Sequence, residues 1–484
     1  MSELCDLSAV ELRRLIGTKA ISPVELLASC SARIDKVNPA LNAVTATIWP
    51  RARKEAKAAE AAVRRGEALG PLHGLPLGVK DLEDAEGLPT TFGSPIFARN
   101  MPKKDGIMVA ACRAAGAIVV GKTNVPEFGA GANTNNPVWG PTGNPFDPQR
   151  ICGGSSGGSA VALSTSMLPI CTGSDTGGSL RIPAAFCGVV GVRGSPGLVP
   201  SERRGLGWTP LSVLGPMGRG VEDAALMLST IAVFDSQDPF SKPVDGAAFA
   251  QLRPVDLSRL RVAVTEDFGF CPVDNRIRRT FQDRVKRFGP AFAKCDAATP
   301  DMGRADEAFE ILRAVSFLAT HKENYEKRRE VLGPNIIANY EEGMRYSAAD
   351  VGWAHAEQTR IYRRVQAFYK DYDLILSPTV AVPPFPWTQL FVETMNGKKL
   401  RTYFHWLALT YAMTLTGHPS ISIPCGLEPT GTPFGLMVTG PHAGDRFTLE
   451  AANALERHFA GDTKLRRPLP DLAWLSKQKR LARG

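Results

Sequence analysis

The sequence lacks the long apolar runs, paired cysteines and clustered histidines that mark several classes of protein. No run of about 18 or more apolar residues occurs, so no transmembrane helix is predicted. The nine cysteines form no CxxC pair and the seven histidines form no HExxH or HxH motif. We therefore expect buried, reduced thiols and no metal site. The opening MSELCDLSAVELRR lacks the basic end and apolar run of a secretory signal, which predicts a cytoplasmic location.

The positive charge of the chain is dispersed. The net charge is +9, and the basic residues gather only in the segment 477–483. A nucleic-acid-binding domain usually carries a basic stripe, whereas this single cluster is typical of a solvated segment. The hydrophobic fraction of 44% and the charged fraction of 22% are those of a globular protein. We expect no nucleic-acid or membrane partner, and we leave a homodimer open.

Local patterns predict helices and short strands in alternation. Ser8–Glu11 and Ser22–Glu25 both read S-x-x-E, the capping box that begins a helix, and an Ala-rich helix over 51–65 ends at Gly66. Buried strands are predicted at 117–120, 167–171, 260–264, 374–376, 421–423 and 436–438. Further helices are predicted at 107–114, 222–233, 274–288, 304–319, 351–370 and 446–458.

This alternation predicts an α/β fold in which helices cover both faces of a mixed, twisted central sheet. We found no internal repeat and no low-complexity linker. The loop-like stretches 235–256 and 383–400 are too short to separate two domains. We therefore expect one domain over 1–484, with a helical section at about 1–66.

Two glycine–serine segments have the most unusual local composition of the chain. The first reads GGSSGGS at 153–159 and the second reads GSDTGGS at 173–179. A flexible linker would explain either segment alone. An apolar stretch, 160–171, joins them and predicts a helix and a strand that fix both segments to a core. Glycine turns between buried elements can bring backbone N–H groups close to a ligand.

Three familiar motifs compete as interpretations of these segments and of one other serine. A P-loop needs a Lys after its second glycine, and none follows here. The G-x-S-x-G nucleophile elbow matches at Ser155 and at Ser156, but the polar 144–152 precedes it where a strand is required. The S-x-x-K motif at Ser476 stands in a charged segment without its companion motifs. None of the three is favoured.

GGSSGGSA at 153–160 followed by DTGGSLRIPAAFCG at 175–188 resembles the amidase signature family. The resemblance extends to GPLHGLPLGVKD at 70–81, GKTNVPEFG at 121–129 and VLGPMGRGVEDAALML at 213–228. It implies the amidase signature fold and an amidohydrolase that cleaves carboxylic amide C–N bonds through a serine acyl-enzyme. The closing half of the chain is more similar to stand-alone amidases than to amidotransferase subunits.

The resemblance implies a role for each residue of the site. Ser179 is implied as nucleophile, Ser155 as a proton relay after a cis peptide bond with Gly154, and Lys80 as base. Ser156 is the neighbouring alternative for the relay, and motif position favours Ser155. Backbone N–H groups would form the oxyanion hole at Thr176, Gly177 and Gly178. Asp175 and Arg181 would support that turn.

The chemistry of these residue types is consistent with those roles. A serine hydroxyl is a weak nucleophile until a base takes its proton, and no histidine lies near either motif. An ordinary lysine, with a pKa of roughly 10.4, is charged at pH 7 and must be desolvated to serve as base. The apolar segment 74–79 before Lys80 favours burial, although an ion pair with Asp81 is the structural alternative. No metal or organic cofactor is expected.

The substrate is less constrained than the reaction. We expect a small aliphatic or aryl amide, with Gly129 at the substrate site. Further candidate segments are Trp208 and residues 317–321, 385–391 and 403–411, whose aromatic side chains either line the site or pack in the core. Carbamate or ester hydrolysis by the same three residues is the alternative, as is a glutaminase subunit of a tRNA-dependent amidotransferase. The family's usual residues are replaced at Cys152 and at 192–195, which affects loops near the turns.

Overall fold

The computed structural model describes residues 3–481, so the last residues of the basic cluster at 477–483 fall outside that range. The α-helices are α1 (Ala9–Gly17), α2 (Pro23–Leu41), α3 (Trp49–Arg65), α4 (Ile107–Ala114), α5 (Gly157–Ser164), α6 (Arg181–Cys187), α7 (Val221–Ile231), α8 (Asn275–Phe288), α9 (Ala305–Arg328), α10 (Pro334–Gly343), α11 (Ala348–Phe368), α12 (Ala408–Thr416), α13 (Asp445–Ala460) and α14 (Leu472–Leu475). Among these helices, none is both long and apolar enough to cross a lipid bilayer.

The strands are β1 (Val44–Thr47), β2 (Pro76–Lys80), β3 (Ile118–Thr123), β4 (Gly143–Asn144), β5 (Asp147–Ile151), β6 (Ile170–Asp175), β7 (Val190–Arg193), β8 (Val213–Gly218), β9 (Arg261–Val264), β10 (Lys294–Ala297), β11 (Leu374–Pro378), β12 (Thr394–Met395), β13 (Lys398–Lys399), β14 (Ser420–Leu427) and β15 (Pro433–Thr439). Eleven of them form one sheet in the order β1-β3-β2-β6-β8-β7-β14-β15-β11-β9-β10. Strand β2 runs parallel to both β3 and β6, whereas β8 runs antiparallel to β6 and β7. The predicted mixed sheet flanked by helices is confirmed.

Several helix ends follow the local signals, although α9 continues nine residues beyond its predicted end at 319. Ser22 and Glu25 form the complete capping box at the start of α2, and α3 ends at Gly66, which has a positive φ of 73°. At the start of α1 only half of the box forms, because Ser8 accepts from Glu11 N while the return bond is missing. The section at 1–66 is also not purely helical, since β1 pairs with β3 of the central sheet.

The sequence patterns missed two central strands of the sheet, β2 and β8, in which glycine and proline interrupt the apolar run. Neither β2 nor β8 was predicted, because Pro76 and Gly78 interrupt the apolar pattern of β2, and Gly215 and Pro216 interrupt that of β8. Both strands are nevertheless central to the sheet, and every residue of β2 is buried. The consequence is functional, since Lys80 is the last residue of β2.

The two glycine–serine segments are turns that begin α5 and α6. Helix α5 packs against β2, β3 and β6, and its first residues lie against the chain at the end of β3. At Gly158 a Cβ atom would lie 2.2 Å from the backbone nitrogen of Asn124 and 2.6 Å from the carbonyl oxygen of Ala43. The glycine therefore provides close packing between α5 and the sheet, which excludes a linker role.

We predict that Gly158→Ala destabilises the protein, because the added methyl group meets backbone atoms that cannot rotate away. Overpacking of this kind costs roughly 1–3 kcal/mol or more in the free energy of unfolding. The measurement is urea denaturation followed by circular dichroism. Gly352→Ala is the matched control, since a Cβ at this position of α11 meets nothing within 4 Å and alanine favours a helix. An equal loss of stability in both variants would contradict the packing interpretation.

Candidate active site

The carboxyl end of β2 places Lys80 inside the protein between two neighbouring strands. Its side chain is fully buried, and Nζ donates hydrogen bonds to the hydroxyl groups of Ser155, Ser156 and Ser174, each at 2.8 Å. The backbone N–H of Lys80 donates to Thr172 Oγ1 on β6 at 2.8 Å. Three chain segments that are far apart in sequence thus meet at one amine.

Ser174 is a contact that sequence reasoning missed. It lies on β6 two residues after Thr172, so strand alternation places both side chains on the face that contacts Lys80. Once Lys80 and a strand at 170–175 are recognised, this period of two is the signal that could have found it. The position inside the second glycine–serine segment obscured the strand.

Burial lowers the pKa of Lys80 to about 8, while the negative charges of Glu83 and Asp175 oppose that shift. A lysine with this pKa has an appreciable neutral fraction near pH 7 and can accept a proton. The ion pair between Lys80 and Asp81 does not form. Asp81 instead accepts hydrogen bonds from Thr91 and from Trp139 Nε1, and it lies 3.7 Å from the ammonium of Lys122.

Glu83 is a second buried titratable group beside Lys80, and no local sequence pattern pointed to it. Its Oε2 accepts a 2.8 Å hydrogen bond from Thr172 Oγ1, and its buried Oε1 has no hydrogen-bond partner among residues 3–481. Burial raises the pKa of Glu83 to about 6, and the positive charge of Lys80 opposes that shift. Glu83 therefore connects to Lys80 both through Thr172 and through charge.

The first glycine–serine turn brings Ser155 to the cavity that adjoins this cluster. The peptide bond between Gly154 and Ser155 is cis, as the family resemblance implied. Ser155 lines the cavity together with Gly129, which has a φ of 72°. A Cβ atom at Gly129 would lie 3.3 Å from Ser155 Oγ and 3.0 Å from Leu82 Cδ1. Glycine at 129 therefore leaves the approach to Ser155 open.

The second turn holds Ser179 between the end of β6 and the start of α6. Ser179 is partly exposed and lines the same cavity as Ser155. The backbone N–H of Ser156 donates to the carbonyl oxygen of Ser179 at 3.2 Å, so the two turns are bonded directly. The structure thus brings Lys80, Ser155 and Ser179 to one site.

Asp175, at the start of this turn, is held in place by ion pairs with two buried arginines. Arg181 donates from Nε and Nη2 to the two carboxylate oxygens at 3.0 Å each. Arg193 Nη1 donates to the Asp175 carbonyl oxygen at 2.6 Å and to Oδ1 at 3.3 Å. All three side chains are fully buried, and the two guanidinium groups hold the pKa of Asp175 well below its usual range. Arg193, identified from sequence only as a departure from the family pattern, is therefore part of the anchor.

The sequence predicts oxyanion-hole donors at Thr176, Gly177 and Gly178, but the N–H of Gly178 is not available for that role. The Gly178 N–H donates to Asp175 Oδ1 at 2.9 Å, so it is already engaged in the anchor. The N–H groups of Thr176, Gly177 and Ser179 have no acceptor among the described residues. These three residues also line the cavity.

The cavity has a volume of about 450 Å³, within the range of small-molecule sites. Four phenylalanines contribute to its wall: Phe92, Phe97, Phe128 and Phe317. His321 packs against two of them, with ring centroids 4.7 Å from Phe128 and 5.3 Å from Phe317. Burial lowers the pKa of His321 to about 4, which makes this imidazole a neutral wall residue at pH 7.

Only some of the segments that we expect at the substrate site line this cavity. Gly129 lines the cavity, as do Phe317, Thr320 and His321 from the segment 317–321. Trp208 is 83% exposed and lies outside the cavity wall. The segment 385–391 contributes nothing to the wall, and 403–411 contributes only Leu407. The aromatic residues Phe404 and Trp406 are buried in the core, because α12 and the turn before it pack behind the site.

We predict that Asp175→Asn destabilises the protein by about 3–5 kcal/mol, because it leaves two buried guanidinium groups without a compensating charge. The free energy of unfolding is measured by urea denaturation at neutral pH. The control is Asp147→Asn, which breaks an ion pair with Arg150 at the surface and should cost less than about 1 kcal/mol. Equal stabilities of the two variants would contradict the anchoring role.

Comparison with known proteins identifies the family of this chain. The chain matches the family model described as Amidase over residues 25–449. An acylamidase of Rhodococcus erythropolis is 33% identical over 453 residues, covering 93% of this chain and 95% of that protein. The glutamyl-tRNA(Gln) amidotransferase subunit of Anaeromyxobacter dehalogenans (strain 2CP-C) is 34% identical, covering 94% of this chain and 97% of that protein.

A solved structure supports the relation at the level of the fold. The crystal structure of a bacterial aryl acylamidase of the amidase signature family superposes with a TM-score of 0.85 at 28% identity. It covers 93% of this chain and 96% of its own length. The chain belongs to the amidase signature family and is an amide-hydrolysing enzyme.

Proposed function

We propose that this enzyme hydrolyses small aliphatic or aryl amides through an acyl-enzyme on Ser179, with Ser155 as proton relay and Lys80 as base. The observation that carries the proposal is the 2.8 Å hydrogen bond from Lys80 Nζ to Ser155 Oγ, beside the cavity that Ser179 lines. A buried lysine with a lowered pKa supplies the base that a serine nucleophile needs. We also propose that the chain is a single domain that works without amidotransferase partner subunits, as a monomer or a homodimer.

In the proposed acylation step, Ser179 Oγ attacks the amide carbon and forms a new C–O bond. Its proton passes to Ser155, whose own proton passes to the neutral amine of Lys80. The tetrahedral intermediate collapses with cleavage of the C–N bond, and the proton returns from Lys80 through Ser155 to the leaving nitrogen. Water then repeats the sequence on the ester carbon, which releases the carboxylic acid and restores Ser179.

Ser156 is the alternative relay, because its hydroxyl also accepts a 2.8 Å hydrogen bond from Lys80. Two observations favour Ser155. Ser156 is completely buried and does not contribute to the cavity wall, whereas Ser155 does. Ser156 Oγ also lies 3.4 Å from both the backbone nitrogen and the carbonyl oxygen of Ser174. We therefore assign Ser156 and Ser174 to holding the amine in place.

The negative charge that develops on the carbonyl oxygen needs donors fixed in advance. Thr176 and Gly177 are proposed for this role because their N–H groups, beside Ser179, have no acceptor among the described residues. The N–H of Ser179 itself replaces that of Gly178, which Asp175 engages. Asp175, Arg181 and Arg193 are proposed to hold this turn without touching the substrate.

The apolar wall favours an amide with a hydrocarbon or aryl group. Phe92, Phe128 and Phe317 offer flat surfaces on which a phenyl ring can pack. The acylamidase of R. erythropolis and the aryl acylamidase structure support this substrate class. Carbamates and esters undergo the same acyl transfer, so their turnover relative to anilides defines the preference of this enzyme.

A glutaminase subunit of a tRNA-dependent amidotransferase is the second candidate, and the relative from A. dehalogenans favours it. The four phenylalanines in the wall suit a hydrocarbon better than the polar side chain of glutamine. Glutaminase activity together with co-purification of partner subunits would support this second candidate. Hydrolysis of anilides by the isolated chain would support the stand-alone amidase.

We predict that Ser179→Ala abolishes both turnover of acyl anilides and labelling by a fluorophosphonate. The physical reason is that Ser179 lines the cavity beside the N–H groups of Thr176 and Gly177, which can stabilise the oxyanion that forms when its hydroxyl is acylated or phosphonylated. Labelling is measured by mass spectrometry of the intact protein and of its peptides. Ser212→Ala is the matched control, because this serine lines the same cavity away from Lys80. The Ser212→Ala protein should be labelled as wild type is. Retained labelling of the Ser179→Ala protein at another serine would refute the nucleophile assignment.

We predict that Glu83→Gln moves the acidic limb of the pH profile of kcat/KM to lower pH. The limb follows the loss of the proton from Lys80, and the carboxylate of Glu83 raises the pKa of Lys80. Removal of that negative charge lowers the lysine pKa further, so the neutral amine forms at lower pH. Glu86→Gln, at an exposed position, is the control and should leave the limb unchanged. A limb that stays in place or moves to higher pH in Glu83→Gln would contradict the coupling.

A further inference from the structure

One wall of the cavity carries a buried positive charge that the proposed reaction does not use. Arg313, on α9, lines the cavity and is only 6% exposed. Its guanidinium group lies 5.0 Å from the ring centroids of both Phe317 and Phe404, so the aromatic rings hold it in place. No carboxylate among the described residues lies within 4.0 Å of it. Burial of a charge without an oppositely charged partner is costly unless something else compensates it.

The other arginines of the cavity wall differ in this respect. Arg203 is paired with Asp84 at 2.9 Å, and Arg204 is paired with Asp238. The acid closest to Arg313 along its own helix is Glu310, and its carboxylate accepts from Arg401 at 3.0 Å. Arg313 is therefore the one cavity arginine, among residues 3–481, whose charge is not balanced by an ion pair.

The hydrogen bonds of Arg313 use only some of its N–H donors. Its Nε donates to Asn339 Oδ1 at 3.2 Å and its Nη2 donates to the hydroxyl oxygen of Tyr403 at 2.6 Å. Asn339 Nδ2 also donates to that hydroxyl oxygen at 2.6 Å. Tyr403 accepts twice and so directs its own proton elsewhere. Neither this proton nor Arg313 Nη1 has an acceptor among the described residues.

Resting on the proposed function, we propose that Arg313 and Tyr403 form a subsite for a carboxylate on the substrate. One carboxylate would accept from Arg313 Nη1 and from the Tyr403 hydroxyl, and it would neutralise the buried guanidinium. The preferred substrates are then amides in which a hydrocarbon spacer separates a free carboxylate from the scissile bond. The phenylalanine wall packs against that spacer.

Helix α9 sets the distance between this subsite and the turn that carries Ser179. A Cβ atom at Gly177 would lie 3.2 Å from Phe309 Cζ, so Phe309 packs directly on the turn that holds Ser179. Arg313 follows one helical turn later, about 6 Å along the axis. Tyr403 adjoins the same wall, since a Cβ atom at Gly131 would lie 3.9 Å from its Cε2. A spacer of several bonds therefore connects the scissile carbonyl to the carboxylate.

The test compares each ω-carboxyacyl anilide with a neutral analogue in which an isopropyl group replaces the carboxylate. The acids are malonanilic, succinanilic, glutaranilic and adipanilic acid. A second arm places the carboxylate on the amine portion, as in 4-carboxyanilides against 4-isopropylanilides. The readout is the ratio of kcat/KM between acid and neutral analogue, so a general loss of activity cancels. A preference for the acid in either arm supports the subsite and shows which portion of the substrate carries the charge.

We expect wild-type enzyme to prefer the acid by roughly 10- to 100-fold at the best spacer length, mainly through KM. Arg313→Met should remove most of this preference, and Tyr403→Phe should reduce it by a smaller factor. Arg203→Met is the matched control, because it removes a positive charge from the same cavity where an ion pair already balances it. Its ratio should stay close to that of wild type.

A wild-type ratio near one in both arms would overturn the proposal, and so would a ratio that Arg313→Met leaves intact. If Arg313→Met fails to fold, Arg313→Lys keeps the charge, loses the planar fork and should lower the ratio. Binding of glutaranilic acid to the Ser179→Ala protein, measured by calorimetry, separates this proposal from the proposed reaction. That binding needs Arg313 but no nucleophile, whereas turnover of the neutral anilides needs Ser179 but no carboxylate.

Discussion

Burial of the Lys80 amine among hydroxyl groups is the constraint on which the rest of the site depends. A lysine can serve as a base near neutral pH only where desolvation lowers its pKa, and its N–H groups must still find acceptors. Ser155, Ser156 and Ser174 each place a hydroxyl oxygen 2.8 Å from Nζ, so in the neutral amine two of them can accept its N–H groups while Ser155 donates to its lone pair. The central position of β2 in the sheet provides the desolvation that lowers the pKa. The sheet, the two serine turns and the reaction are therefore linked through one side chain.

The turn that carries Ser179 depends on a second buried cluster, in which ion pairs stabilise a charged group. Asp175 stays ionised because Arg181 and Arg193 surround it, and it then binds the N–H groups of Gly178 and Leu180. These bonds fix the curvature of the turn. The N–H groups of Thr176 and Gly177 take no part in them and have no acceptor among the described residues. Burial without an ion pair among the described residues thus lowers the pKa of Lys80 to about 8, whereas two ion pairs keep Asp175 charged.

The fold and the three candidate reacting residues could be predicted from the sequence, whereas most of the surrounding site could not. Alternating helices and strands indicated the mixed sheet, and the motifs selected Lys80, Ser155 and Ser179, whose catalytic roles stay predictions. Glu83 and Arg313 gave no local signal, because their importance arises from partners that the fold supplies. The single domain and the cytoplasmic location also stay predictions. The wrong choice of 385–391 has a similar cause: aromatic residues suit a core and a ligand wall equally well, and only packing decides between them.

Direct titration of Lys80 tests the central claim most simply. Protein labelled with ¹³C and ¹⁵N in lysine gives a separate Cε–Nζ signal for this residue, assigned by its loss in Lys80→Met. The account predicts that the signal titrates near pH 8, well below the range of the surface lysines. A Lys80 signal that titrates together with the surface lysines would mean an amine with almost no neutral fraction at neutral pH. It would contradict the assignment of Lys80 as base.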